Sequence, residues 1–99
     1  MLSEKLKEQR KKCNLPQRKV AAALDIDTAT YCKIENGNYS PKREQVIELA
    51  NILNVDENEL LTLWLADKVF EVVEYEQCAT EALSIVAENI VEYHKTNVI

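Results

Sequence analysis

Glycine occurs once in this chain of 99 residues and proline twice. Strands joined by tight turns are hard to build from so little of either, so helices are expected instead. Cysteine is sparse as well: Cys13, Cys32 and Cys78 are odd in number, widely scattered and without CxxC spacing. They read as reduced thiols in a cytosol, and a structural metal is not expected. No run approaches eighteen apolar residues, and the opening stretch MLSEKLKEQRKKC is charged where a secretion signal would be apolar. Neither membrane insertion nor export is expected, which points to the cytoplasm. The single histidine, His94, stands alone. With no Ser-His-Asp order, no paired-carboxylate constellation, no phosphate-cradling glycine loop and no metal spacing, neither an enzyme nor a cofactor is expected.

What the chain does contain is divided unevenly. Residues 1–45 hold ten Lys or Arg against six Asp or Glu, whereas residues 46–99 hold two against eleven, giving the net charge of -5. A basic head suited to phosphate and an acidic tail with another task fit that division; uneven solubilising charge is the plainer alternative. At 46% hydrophobic, the length allows one small domain with an appended element.

Helical signals recur along the chain. Leu2, Leu6 and Cys13 are spaced for a helix from Ser3 to about Cys13, and Asn14 tolerates the left-handed conformation that ends one. Leu15-Pro16 breaks the pattern, and Gln17 to Leu24 forms a second helix with Val20, Ala21 and Leu24 inward. Asp27 is an N-cap for a short third helix, Thr28 to about Asn36, burying Tyr31 and Ile34; Gly37 then turns the chain sharply. Pro41 leads into a fourth helix with Val46, Ile47, Leu49, Ala50 and Leu53 inward, and Asp56 with Glu59 opens a fifth holding Leu60, Leu61, Trp64 and Leu65. After residue 65, Val69, Val72 and Val73 continue one stripe, and Ala79, Leu83, Val86, Ile90 and Tyr93 form another. A break is expected near Glu74 to Gln77, and VFEVVEY leaves a short strand open as an alternative.

The stretch QRKVAAALDIDTATYCKIENG resembles the Cro- and cI-type phage repressors, also called the XRE family, of helix-turn-helix regulators. The resemblance covers residues 3 to about 65 and includes the order and apolar pattern of the flanking helices. Gln17 opens the first motif helix, Ala21 stands where the two helices touch, and KIENG closes the recognition helix. The family often has glycine at the positions of Asn14 and Asp25, both types that visit positive φ at small cost. The expected fold is all-α: a five-helix DNA-binding domain over residues 1–66 and a helical extension over 67–99.

The resemblance implies base contacts from Thr28, Ala29 and Lys33, with Thr30 beside the backbone. Lysine donates to guanine edges, and the methyls of alanine and threonine suit thymine. Because this donor set is thin, part of the specificity is expected from DNA shape. Phosphate contacts are expected from Gln17 and Arg18 at the start of the second helix. The rest of that set is Asn36, Asn38, Tyr39, Ser40, Lys42 and Arg43, around and after the turn at Gly37, whose missing Cβ would let the backbone pass close to phosphates. A polar turn with no ligand is the alternative. The family also implies a structural ion pair between Arg10 and Glu35. Cys32 invites a redox reading, but a small helix residue accounts for it.

A reader of this size gains affinity as a homodimer on two half-sites of double-stranded DNA. Trp64, Leu65, Val69, Phe70, Val73, Leu83, Val86 and Ile90 are the expected dimer interface, with the acidic face outward. A monomer with its tail folded back is the alternative. The expected function is a transcriptional repressor or autoregulator, such as a restriction-modification controller or a phage-type repressor. Alternatively, the protein is an antitoxin or anti-repressor that meets a protein partner through its acidic C-terminal helices.

Overall fold

The computed structural model describes residues 1–97. Among them are six α-helices and no strand: α1 Leu2–Lys12, α2 Gln17–Ala23, α3 Thr28–Glu35, α4 Arg43–Leu53, α5 Glu57–Val73 and α6 Ala79–Asn97. The chain divides into two compact units, Met1–Lys68 and a second that begins at Val69.

Local chemistry sets most of the helix ends in the first unit. Asn14 takes φ 56° and closes α1, with Leu15 N–H donating to the Arg10 carbonyl at 3.2 Å. Arg10, Lys11 and Lys12 occupy the last turn of α1, where positive charge suits the helix dipole. Asp25, at φ 59°, lets Ile26 N–H reach back to the Ala21 carbonyl at 3.0 Å and so turns the chain between α2 and α3. The Asp27 carboxylate accepts from Thr30 N–H at 2.7 Å and caps α3. Gly37 has φ 78°, and a Cβ there would meet Ser3 Oγ at an ordinary 3.6 Å. Glycine is needed for the backbone conformation, which side-chain-bearing residues adopt only under strain, and not for room within the unit.

The ends of the fourth helix are set in the same way. The fourth helix starts at Arg43, two residues beyond Pro41, where Lys42 N–H donates to Gln45 Oε1 at 2.9 Å. It ends at Asn54, a further residue at positive φ, 56°. Asp56 accepts from Glu59 N–H at 3.1 Å and opens α5, as its spacing predicts.

The core of this unit is one cluster in which Leu6, Val20, Tyr31, Val46, Leu49, Leu53 and Leu60 are fully buried. Helix α3 packs on both α1 and α2, and α4 packs on α1 and α2. Burying each of these side chains contributes roughly 1.5–3 kcal/mol before conformational entropy is subtracted. Asp67 of α5 adds a polar tie: its Oδ2 accepts from Leu2 N–H at 3.0 Å, satisfying an N-terminal donor of α1.

In the second unit, Val69–Val73 form the last turns of α5, so the VFEVVEY segment is helical up to Val73 and not a strand. The chain turns through Glu74–Cys78, one residue longer than the expected break at Glu74 to Gln77, and re-enters helix at Ala79. Helix α6 runs for 19 residues. None of its residues whose burial is described is buried; Leu83, Ile85, Val86, Ile90 and Val91 are all exposed.

Candidate nucleic-acid interface

Helix α3 is only 8 residues long and divides into two faces. Tyr31, Ile34 and Glu35 are buried, while Thr28, Ala29 and Lys33 are exposed; Cys32 and Thr30 lie between. The 3.6-residue period turns Ala29 and Lys33 away from the buried set, while Thr28, three residues before Tyr31, is exposed because it begins the helix. The exposed first turn and outer face of α3 together form a rail carrying one cation, one hydroxyl and two methyl groups.

What holds the rail is the Glu35 carboxylate. Arg10 Nε donates to Glu35 Oε2 at 2.6 Å and Arg10 Nη2 to Oε1 at 3.0 Å, so the guanidinium grips both oxygens. Arg10 Nη1 also donates to the Leu15 carbonyl at 2.9 Å, and Gln17 Nε2 donates to Glu35 Oε1 at 3.2 Å. The side chain of Glu35 is 1% exposed and that of Arg10 13%. Burial pushes the Glu35 carboxyl up, but hydrogen bonds from Arg10 and Gln17, with the Tyr31 hydroxyl close by, outweigh it and hold the group below its ordinary range. The same pair raises Arg10 further above its already high value, chiefly through the hydrogen bond to Glu35. Tyr31 is wholly buried beside the pair, and its hydroxyl makes no hydrogen bond of standard geometry. Burial, then the neighbouring Glu35, raises its ionisation well above the ordinary phenol, so it stays protonated. One residue thus ties α1, the start of α2 and the end of α3 together.

Exposed cations stand on α2, on α3 and at the start of α4. Arg18, Lys42 and Arg43 are exposed, and with Lys33 they have no carboxylate partner among the described residues. Asn38, Tyr39 and Ser40 are exposed in the loop after Gly37, while Gln17 is half-buried and turned toward Glu35. Asn36 is exposed, with Nδ2 3.6 Å from Cys32 Sγ. Thr30 supplies the hydrogen bonding that keeps Asp27 below the ordinary carboxylate range.

Residues 6–60, spanning α1 to the start of α5, match the helix-turn-helix family. The chain belongs to the Cro- and cI-type (XRE) helix-turn-helix regulators. It is 30% identical over 105 aligned positions to the cryptic phage CTXphi transcriptional repressor RstR of Vibrio cholerae serotype O1, an alignment covering 96% of this chain and 91% of that one. No solved structure matches the chain. As in the family at large, α2 and α3 form the motif and α3 its recognition helix.

Trp64 shows a use that sequence periodicity did not reveal. Its indole Nε1 donates to the Pro41 carbonyl at 2.8 Å, and the Arg43 guanidinium lies 5.2 Å from the ring centroid. Trp64 is thus half-buried and engaged inside the first unit, against the loop that precedes α4. Of the other residues expected at a dimer contact, Leu65, Val69, Phe70, Leu83, Val86 and Ile90 are exposed, and Val73 is half-buried. Among the described residues no helix is long and apolar enough to cross a membrane, and no group of three or more His, Cys, Asp or Glu is placed to hold a metal ion.

Proposed function

We propose that this regulator is a dimeric repressor or autoregulator that reads an inverted-repeat operator in double-stranded DNA. The exposed rail of α3, held from behind by the Arg10–Glu35 pair, carries the reading. In the major groove Lys33 would donate to a guanine edge, and the methyls of Thr28 and Ala29 would meet thymine methyls. Arg18, Lys42 and Arg43, with Gln17, Thr30, Asn36, Asn38, Tyr39 and Ser40, would hold the backbone and set the register. With one strong donor on the rail, DNA shape supplies part of the discrimination. The name of the Vibrio cholerae relative favours the phage-repressor role over that of a restriction-modification controller.

In this reading the DNA-binding domain is the five-helix portion over residues 1–66, and the extension over 67–99 pairs two copies. The support is energetic. A 19-residue helix with no buried residue among those described, and with Leu83, Val86 and Ile90 exposed, gains little from burial by itself. Pairing these with Leu65, Val69 and Phe70 of a second copy would remove that surface from water and place two rails on successive half-sites.

Sedimentation equilibrium of the full chain, alone and with duplex DNA, tests the proposal. A dimer that retains duplex at low ionic strength is the expected result. A monomer that assembles only with a different chain and ignores duplex would replace it with the antitoxin or anti-repressor reading, for which the same exposed α6 surface would be the partner site.

A further inference from the structure

The Trp64 ring is flanked by two cations. Arg43, at the start of α4, has its guanidinium carbon 5.2 Å from the ring centroid, and Lys68 Nζ, one turn further along α5, lies 4.5 Å from it. The two charges can be no further apart than the sum of those distances. The indole is itself fixed by its hydrogen bond to the Pro41 carbonyl, so the pair is anchored to the loop that leads into α4.

The ring face attracts each cation and so holds two like charges near each other, where they also repel. Neither cation has a carboxylate partner among the described residues, and both side chains are exposed. An anion reached from solvent would relieve the repulsion. Residues 46–99 hold only two basic residues, Lys68 and Lys95, and one of them stands on this ring. Lys95 instead lies 3.9 Å from Glu92.

We propose that Arg43 and Lys68, gathered by Trp64, form one phosphate clamp, and that Lys68 extends the DNA-backbone footprint from the helix-turn-helix motif onto α5. The clamp rests on the duplex-binding reading above and adds to it a residue outside residues 6–60. Its ligand is a backbone phosphodiester, recognised by charge and not by sequence.

Titration of full-length protein onto labelled duplexes across a salt series tests the clamp, with Lys68→Gln, Arg43→Gln and Lys95→Gln compared with the unaltered chain. Lys68→Gln is expected to weaken binding about three- to tenfold on every duplex alike, and to reduce the log–log salt slope by about 0.9. Arg43→Gln should do the same, and Lys95→Gln should do neither. The single tryptophan is a built-in probe, so its fluorescence should change as duplex saturates the unaltered protein. If Lys68→Gln keeps the unaltered slope while Arg43→Gln lowers it, the clamp is overturned and the regulator reading stands. If the unaltered chain binds no duplex at low salt, both fall together.

Discussion

The Arg10 guanidinium grips both oxygens of Glu35, at 2.6 and 3.0 Å, and so fastens the end of the recognition helix to the leading helix. The pair is nearly closed to solvent, so removing either partner strands a buried charge. Arg10→Ala and Glu35→Ala should each lower unfolding free energy by about 3 kcal/mol in denaturant titrations. Replacing both with apolar residues of similar volume should cost less than either single change.

The same pair predicts the response to acid. The folded carboxyl of Glu35 is held below its ordinary value of 4.5, so the unfolded chain takes up a proton first as the pH falls. The pair's stabilisation is present above that ordinary value and is lost as the pH drops through the lowered one. Denaturation at pH 7 and pH 3 should therefore show a larger stability loss in the unaltered chain than in Glu35→Gln.

Specific and general contacts should separate by mutation. Lys33→Ala should change the preferred base at one operator position, losing about 1–3 kcal/mol of discrimination there. Arg43→Ala should weaken all sequences similarly and flatten the salt dependence. Binding-site profiles from a partly randomised duplex would distinguish the two outcomes.

Asp67 tests whether α5 braces the DNA-binding unit. Its carboxylate takes the Leu2 N–H at 3.0 Å, so Asp67→Ala should cost about 1 kcal/mol and raise hydrogen exchange at the start of α1. Exchange rates that do not change would contradict that bracing role.

The exposed apolar surface of the second unit gives the test of pairing. Phe70→Glu and Val86→Glu should shift sedimentation toward monomer and weaken operator binding more than tenfold, with helix content by circular dichroism retained in the first unit.

Much of this structure could be read from short-range chemistry. Asn14, Asp25 and Gly37 were expected to turn the chain through positive φ, and all three do. Asp27 and Asp56 cap the helices they precede. Asn54 also takes positive φ and ends α4, a turn that the apolar pattern alone does not mark. The Arg10–Glu35 pair spans 25 positions and was legible only through family resemblance. Contacts such as Trp64 to Pro41 and Asp67 to Leu2 leave no periodic trace, since they join residues 23 and 65 positions apart. An apolar stripe shows that Trp64 must lie against something; it does not show that the indole N–H would be needed by a loop.

Selection of bound sequences from a random pool of duplex DNA by the full chain tests the regulator reading most directly. An inverted repeat with half-sites about one helical turn apart, lost when Lys33 and Arg43 are both replaced by alanine, is the predicted result. A pool that emerges unenriched at low ionic strength would contradict it.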